Sequence, residues 1–176
     1  MWAARFWWMT AKWLGHPRVA VLDGGLRRWQ SLGLPMTTDV PSPRPAGDFA
    51  EHYVAAAAAD AEATAAAAQS PAGRVIDARA PERYRGEVEP IDRVAGHIPG
   101  ARNHPTASVV GPDGTFRSAA ELKAALAATL DGVPPEQTIA YCGSGVTARC
   151  RCPGAITAFS DPDRPQPNHR RVSFTS

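Results

Sequence analysis

The sequence predicts an α/β protein built on a parallel sheet, and three observations carry that reading. Largely apolar runs at Val19–Leu22, Arg74–Ala78 and Thr138–Tyr141 have the character of buried strands rather than half-solvated ones. Segments with helical spacing alternate with them, as in α/β units. The 176 residues are 44% hydrophobic and 20% charged, which is too apolar for wholesale disorder.

In chain order, residues 2–14 are predicted as an amphipathic helix with Phe6, Met9 and Trp13 on one face, extended by Trp2 and Trp7. Gly15 and Pro17 end it. After the strand at 19–22, Asp23-Gly24-Gly25 turns the chain into a second helix. Its Leu26, Trp29 and Leu32 share a face, and Gly33 and Pro35 close it. Residues 36–72 read as a linker carrying an alanine-rich surface helix within 54–68. Alanine favours the helix but has little apolar area, so weak packing is expected. The strand at 74–78 follows, then a short helix over Glu82–Gly86 and a loop through Gly96–Ala101. Ser118 and Glu121 match a capping box at the start of a helix reaching Thr129, with Leu122, Ala125, Leu126 and Leu130 on one face. The strand at 138–141 delivers Cys142 at its C-terminal end. Beyond Cys152 the chain turns proline-rich and loses periodicity, the pattern of a solvated tail.

Lys+Arg exceeds Asp+Glu by 19 to 17, a formal charge of +2 with no basic stripe, which argues against a nucleic-acid partner. No run of about 18 apolar residues is present, so no membrane span is expected. The opening segment lacks the pattern of a secretory signal. Cys142, Cys150 and Cys152 are odd in number and clustered, a poor disulfide framework that fits a reducing compartment; the cytoplasm is the expected location.

The chemically informative segment is Cys142-Gly143-Ser144-Gly145-Val146-Thr147-Ala148. Ligands of open α/β sheets bind beyond the carboxyl ends of strands, where this cysteine stands. Two glycines within four residues let backbone amides turn inward as an anion nest, which would stabilise a thiolate, the nucleophilic form of cysteine, or a persulfide. A small buried cysteine at a tight turn is the plain alternative. Cysteine-based phosphatases place an arginine in a Cys-x5-Arg pattern, but that position here is Ala148 and Arg149 comes one place late. Cys142, Cys150, Cys152 and the distant His169 lack a recognised zinc spacing.

CGSGVTA resembles the active-site loop of the rhodanese and 3-mercaptopyruvate sulfurtransferase family. The resemblance extends to VIDAR-x3-RYRGEVEP (75–90), AGHIPGARN (95–103) and DGTFRSAAEL (113–122), in the family's order. It implies a rhodanese-like parallel sheet with helices on both faces. It also implies a sulfurtransferase needing no metal or organic cofactor. Cys142 would take a sulfane sulfur from a small anionic donor, 3-mercaptopyruvate or thiosulfate, and pass it to a thiol or cyanide acceptor. The Gly-Ser-Gly form is closer to the mercaptopyruvate branch. By the same resemblance Arg83 binds the anionic donor, Arg93 is the candidate for a second donor arginine, and Gly143, Gly145, Val146 and Thr147 form the nest. Ser144 is placed either to move a proton or to make a plain loop hydrogen bond. Asp77 and Arg79 read as a structural pair, Arg85 fits either class, and His97 matches a structural position.

Two-domain members of the family have two similar halves, and this chain reads as a truncated member. Residues 1–35 resemble the last third of a first half, 36–72 a linker, 73–150 the catalytic domain and 151–176 a tail. A helix and an inner strand, roughly twenty residues, should follow the loop and do not, so the sheet is expected to be incomplete. Residues 1–35, themselves helix, strand and helix, are the candidate to fill that gap; a poorly folded truncated chain is the rival. A catalytically impaired binding module is the alternative function.

Overall fold

A computed structural model describes residues 2–43, 45–54, 57–143 and 156–158. Five parallel strands form one open sheet: β1 (Ala58–Ala59), β2 (Arg74–Asp77), β3 (Arg102–Asn103), β4 (Thr138–Tyr141) and β5 (Ile156–Ala158), in the order β1-β5-β4-β2-β3. The helices are α1 (Trp2–Trp8), α2 (Gly25–Ser31), α3 (Ala61–Gln69), α4 (Pro81–Tyr84) and α5 (Ala119–Leu130). The class is α/β, as the apolar runs predict.

The central pair β2 and β4 holds the core. Val75 faces Ile139 across the ladder and Ile76 faces Ala140; all four are buried. Burial at consecutive positions, not alternate ones, is the mark of a parallel strand covered on both faces. Val75 and Ile139 cluster with Ala101, and Ala67 and Ala68 of α3 pack against them. The expected weak packing of the alanine-rich helix is therefore corrected. Small side chains let its backbone come close: a Cβ at Gly73 would stand 2.7 Å from the Ala67 carbonyl, and one at Gly100 would overlap the Ala68 carbonyl. Asp60 caps the helix by accepting from the Ala63 amide at 2.8 Å, and Thr64 is fully buried. Gly100 also has a φ of 85°. Gly100→Ala is expected to cost about 1–3 kcal/mol through overpacking and backbone strain, read as a lower midpoint in urea with an unchanged slope.

The capping box of α5 is present in full: Glu121 N donates to Ser118 Oγ at 3.3 Å, and Ser118 N donates to Glu121 Oε2 at 2.9 Å. The helix ends on Asp131 at φ 52° and is tied to the sheet by Arg74 of β2 and Arg102 of β3, which donate to carbonyls of its last turn.

Val19–Leu22 is not a strand, and Leu22 is 54% exposed. A strand needs a neighbour for its N–H and C=O groups, and the place beside β4 is taken by β5, whose Ile156 and Thr157 pair with Ile139 and Ala140. Residues 1–35 therefore do not supply the inner strand; a segment within the proline-rich stretch does. The second helix forms, but Leu26 and Leu32 of its predicted face are 56% and 58% exposed. In α1 Trp8 is buried, while Phe6 is 61% exposed. A π-helical turn over Met9–Trp13 explains the difference: its wider spacing brings positions five apart together, so Trp13 lies 6.2 Å from Trp8 and 5.8 Å from Tyr53. Polar contacts join this region to the segment before α5: Arg28 pairs with Asp113 at 3.0 Å, and Asp23 accepts from the Phe116 amide at 2.8 Å.

Candidate active site

Strand β4 ends at Tyr141, which places half-buried Cys142 at the carboxyl edge of the sheet, packed beside Ala78 and Ala140. Its ladder partner β2 ends alongside at Asp77, which is fully buried. A buried carboxylate must be matched by donors. Arg79 supplies them, with Nε at 3.0 Å and Nη2 at 2.7 Å from Asp77 Oδ2. Tyr141 adds its hydroxyl at 2.8 Å, and the same hydroxyl accepts from the Ile98 amide at 3.1 Å. Arg79 Nη2 also donates to the Gly96 carbonyl. The structural pair of Asp77 and Arg79 is thus present, as the residue pattern suggests, and with Tyr141 it anchors the Gly96–Ala101 loop at the Gly96 carbonyl and the Ile98 amide.

From this anchor an alternating row of charges runs outward. Arg79 Nη1 reaches Glu89 Oε2 at 3.3 Å. Glu89 takes Arg83 at two points, Nη2 at 2.6 Å and Nε at 3.3 Å. Arg83 Nη2 also meets Asp92 Oδ2 at 3.0 Å. Side-chain exposure grows along the row, from 0% at Asp77 and 5% at Arg79 and Glu89 to 17% at Arg83 and 28% at Asp92. A Cβ on Gly143 would lie 3.6 Å from both Arg83 Nη2 and Asp92 Oδ2, and 3.7 Å from Arg83 Nη1. The outer end of the row therefore stands against the residue that follows Cys142.

The electrostatics follow from this burial. Burial opposes the charge on Glu89, yet hydrogen bonds from the Asp92 amide, Arg83 and the Ile91 amide hold its carboxyl down to about 2. Burial also works against the Arg79 cation, but the hydrogen bond and charge of Asp77 outweigh it and raise its pKa above the usual arginine range. Burial, then the Asp77 carboxylate, pushes the Tyr141 phenol well above its ordinary value. These groups stay in one charge state at neutral pH and are joined by hydrogen bonds into one frame.

Among the described residues, Arg83 is the one predicted donor-binding side chain that the structure brings to Gly143. Arg93 is exposed and makes no ion pair among the described residues; its neighbour Asp92 is the residue that reaches Arg83. Arg85 pairs with exposed Glu87 at 2.6 Å. His97 stacks on Tyr84, 3.7 Å between ring centres, and its Nδ1 lies 2.7 Å from the Tyr84 carbonyl, a structural arrangement. Ser144, Gly145, Val146 and Thr147, and with them the expected anion nest, lie outside the described residues. Residue reasoning missed Glu89, Asp92 and Tyr141. Glu89 had a signal, an acid two residues after Glu87 in RGEVEP, but nothing local tells the buried acid from the exposed one. Among the described residues no group of three His, Cys, Asp or Glu could hold a metal ion, and no helix is long and apolar enough to cross a membrane.

Comparison with known proteins matches this geometry to a family. The model of the Rhodanese-like domain matches residues 59–165, a span that takes in α3 and strands β2 to β5. A Pseudomonas aeruginosa protein named "Probable 3-mercaptopyruvate sulfurtransferase" is 46% identical over 83% of this chain and 51% of its own length. Human 3-mercaptopyruvate sulfurtransferase is 36% identical over 93% of the chain and 54% of its own length. The crystal structure of SseA from Escherichia coli, a 3-mercaptopyruvate sulfurtransferase, superposes with a TM-score of 0.72 at 30% identity, covering 90% of this chain and 62% of that one. The chain spans about half the length of the curated relatives it matches. With the family model matching more than half of its residues and the parallel sheet in place, the chain belongs to the rhodanese-like domain family.

Proposed function

We propose that this chain transfers sulfane sulfur through Cys142. The thiolate attacks the outer sulfur of thiosulfate or the thiol sulfur of 3-mercaptopyruvate, forming an S–S bond. The donor's S–S or C–S bond breaks, and its electron pair leaves with sulfite or with the enolate of pyruvate, which then takes up a proton. An acceptor thiol or cyanide attacks the outer sulfur of the persulfide and returns Cys142 to a thiolate. Arg83 holds the donor anion, with Arg93 as a candidate second cation. Gly143, Gly145, Val146 and Thr147 supply amides to the sulfur, and Ser144 is a candidate proton carrier. The reaction suits a reducing compartment such as the cytoplasm, where the thiol stays free.

The observation that carries this reading is the half-buried Cys142 at the carboxyl end of β4 with the Arg83 guanidinium against Gly143. The sulfurtransferase names of the relatives point the same way and do not favour a binding module. Incubation with 3-mercaptopyruvate or thiosulfate is expected to add one sulfur atom to the intact mass. Cyanide should remove it, and Cys142→Ser should never acquire it. A folded chain that gains no sulfur from either donor overturns the proposal.

A further inference from the structure

Arg83 is gripped along one edge, and its other edge faces Gly143. Glu89 holds Nε and Nη2, while Nη1 lies beside Gly143 and makes no hydrogen bond among the described residues. Glu89 alone is therefore enough to aim the guanidinium at the site. Asp92 does something different: its Oδ2 sits on Nη2 at the end facing Gly143, and it is the most exposed of the three carboxylates in the row. It also stands 3.8 Å from Arg79 Nη1. Two guanidinium groups, Arg79 and Arg83, thus face three carboxylates, Asp77, Glu89 and Asp92, leaving one negative charge in excess beside Gly143. Arg93 is exposed and solvated, so it offsets little of that charge.

Resting on the sulfurtransferase reading above, we propose that Asp92 is a specificity-determining residue that selects donors by charge. An anion on that end of Arg83 shares Nη2 with Asp92 and feels its carboxylate at close range. A donor with two charges, such as thiosulfate, is repelled more than one with a single carboxylate, such as 3-mercaptopyruvate. In a partly buried setting the carboxylate costs the doubly charged donor about tenfold in affinity and the singly charged one about threefold. Asp92 therefore acts on the charge of the donor held at Arg83 and touches no reacting atom.

The test uses the full chain in a Cys142→Ser background, where neither donor is consumed, with binding of thiosulfate and 3-mercaptopyruvate followed by titration calorimetry. Asp92→Asn is expected to tighten thiosulfate by about tenfold and 3-mercaptopyruvate by about threefold or less. Added salt should shrink the change, and Asp92→Glu should keep the parental ratio of affinities. A purely structural role would lower the melting temperature and weaken both donors together. An unmoved ratio in Asp92→Asn, or thiosulfate bound more weakly, overturns the inference, as does binding of neither anion to any variant. If the donors bind and the ratio shifts but Cys142 acquires no sulfur in the parental chain, the charge rule stands and the sulfur-transfer reading fails.

Discussion

Replacing Glu89 with alanine is expected to cost about 3–5 kcal/mol of stability, because it strips a carboxylate from two partly or fully buried cations. Arg79 would lose its Nη1 hydrogen bond, keeping only Asp92 at 3.8 Å, and Arg83 would lose both contacts along its held edge. The amides of Ile91 and Asp92, which donate to Glu89 Oε1 at 3.0 Å, would lose their acceptor as well. The pH dependence has a definite sign. The Glu89 carboxyl is held at about 2 in the folded chain against an ordinary 4.5, so its contribution is complete above about pH 4.5 and is lost as pH falls toward 2. Glu89→Gln keeps the shape without the charge. Its deficit relative to the parental chain should therefore be full at neutral pH and shrink steadily between pH 4.5 and 2. Exposed Asp113, Glu87 and Glu121 are also held below their usual values, but they titrate in both proteins and cancel in the difference. Urea titrations of the two chains across that range measure it. A deficit that stays constant with pH would show that the Glu89 charge is not what holds the row together.

Arg83→Ala is expected to slow sulfur loading of Cys142 by about two orders of magnitude at low donor concentration, through lost donor affinity and alignment. Arg83→Lys restores the charge but not the planar fork. A lysine ammonium cannot bind Glu89 along one edge while presenting a second edge to Gly143, so it should recover less than about tenfold of the loss. Both variants leave Arg79 on Glu89, so folding should survive; melting curves check this. Loading rates by intact mass, measured against donor concentration, should show the defect in the half-saturating concentration more than in the plateau. Full recovery by lysine would mean that charge alone suffices and that the two-edged grip on Arg83 is unimportant.

Where the chain's own segments contain both partners of a contact, the residues made the structure legible. The strands at 74–77 and 138–141 stand where their apolar runs place them, and the Ser118–Glu121 box closes the helix it announces. Cys142 stands out as the candidate reactive residue because a buried strand followed by Gly-x-Gly can present a side chain at only one edge of a sheet. Where a contact depends on a distant partner, local reading failed. Val19–Leu22 has the apolar content of a strand and no neighbour to pair with. Ile156–Ala158 lies among prolines, yet β4 on one side and β1 on the other complete its ladders.

By itself, then, the sequence determined the α/β class, the central strand pair, the capping of α5 and the identity of the sulfur-bearing candidate Cys142, since each rests on local composition and spacing. Only the tertiary structure decided which acids belong to the site. Glu87 and Glu89 are two residues apart and chemically equivalent on paper. The first is left in solvent beside Arg85, and the second is buried between Arg79 and Arg83. Burial, which comes from the packing of the whole fold, turns the second pair of contacts from a solvated surface attraction into the frame that aims Arg83 at Gly143.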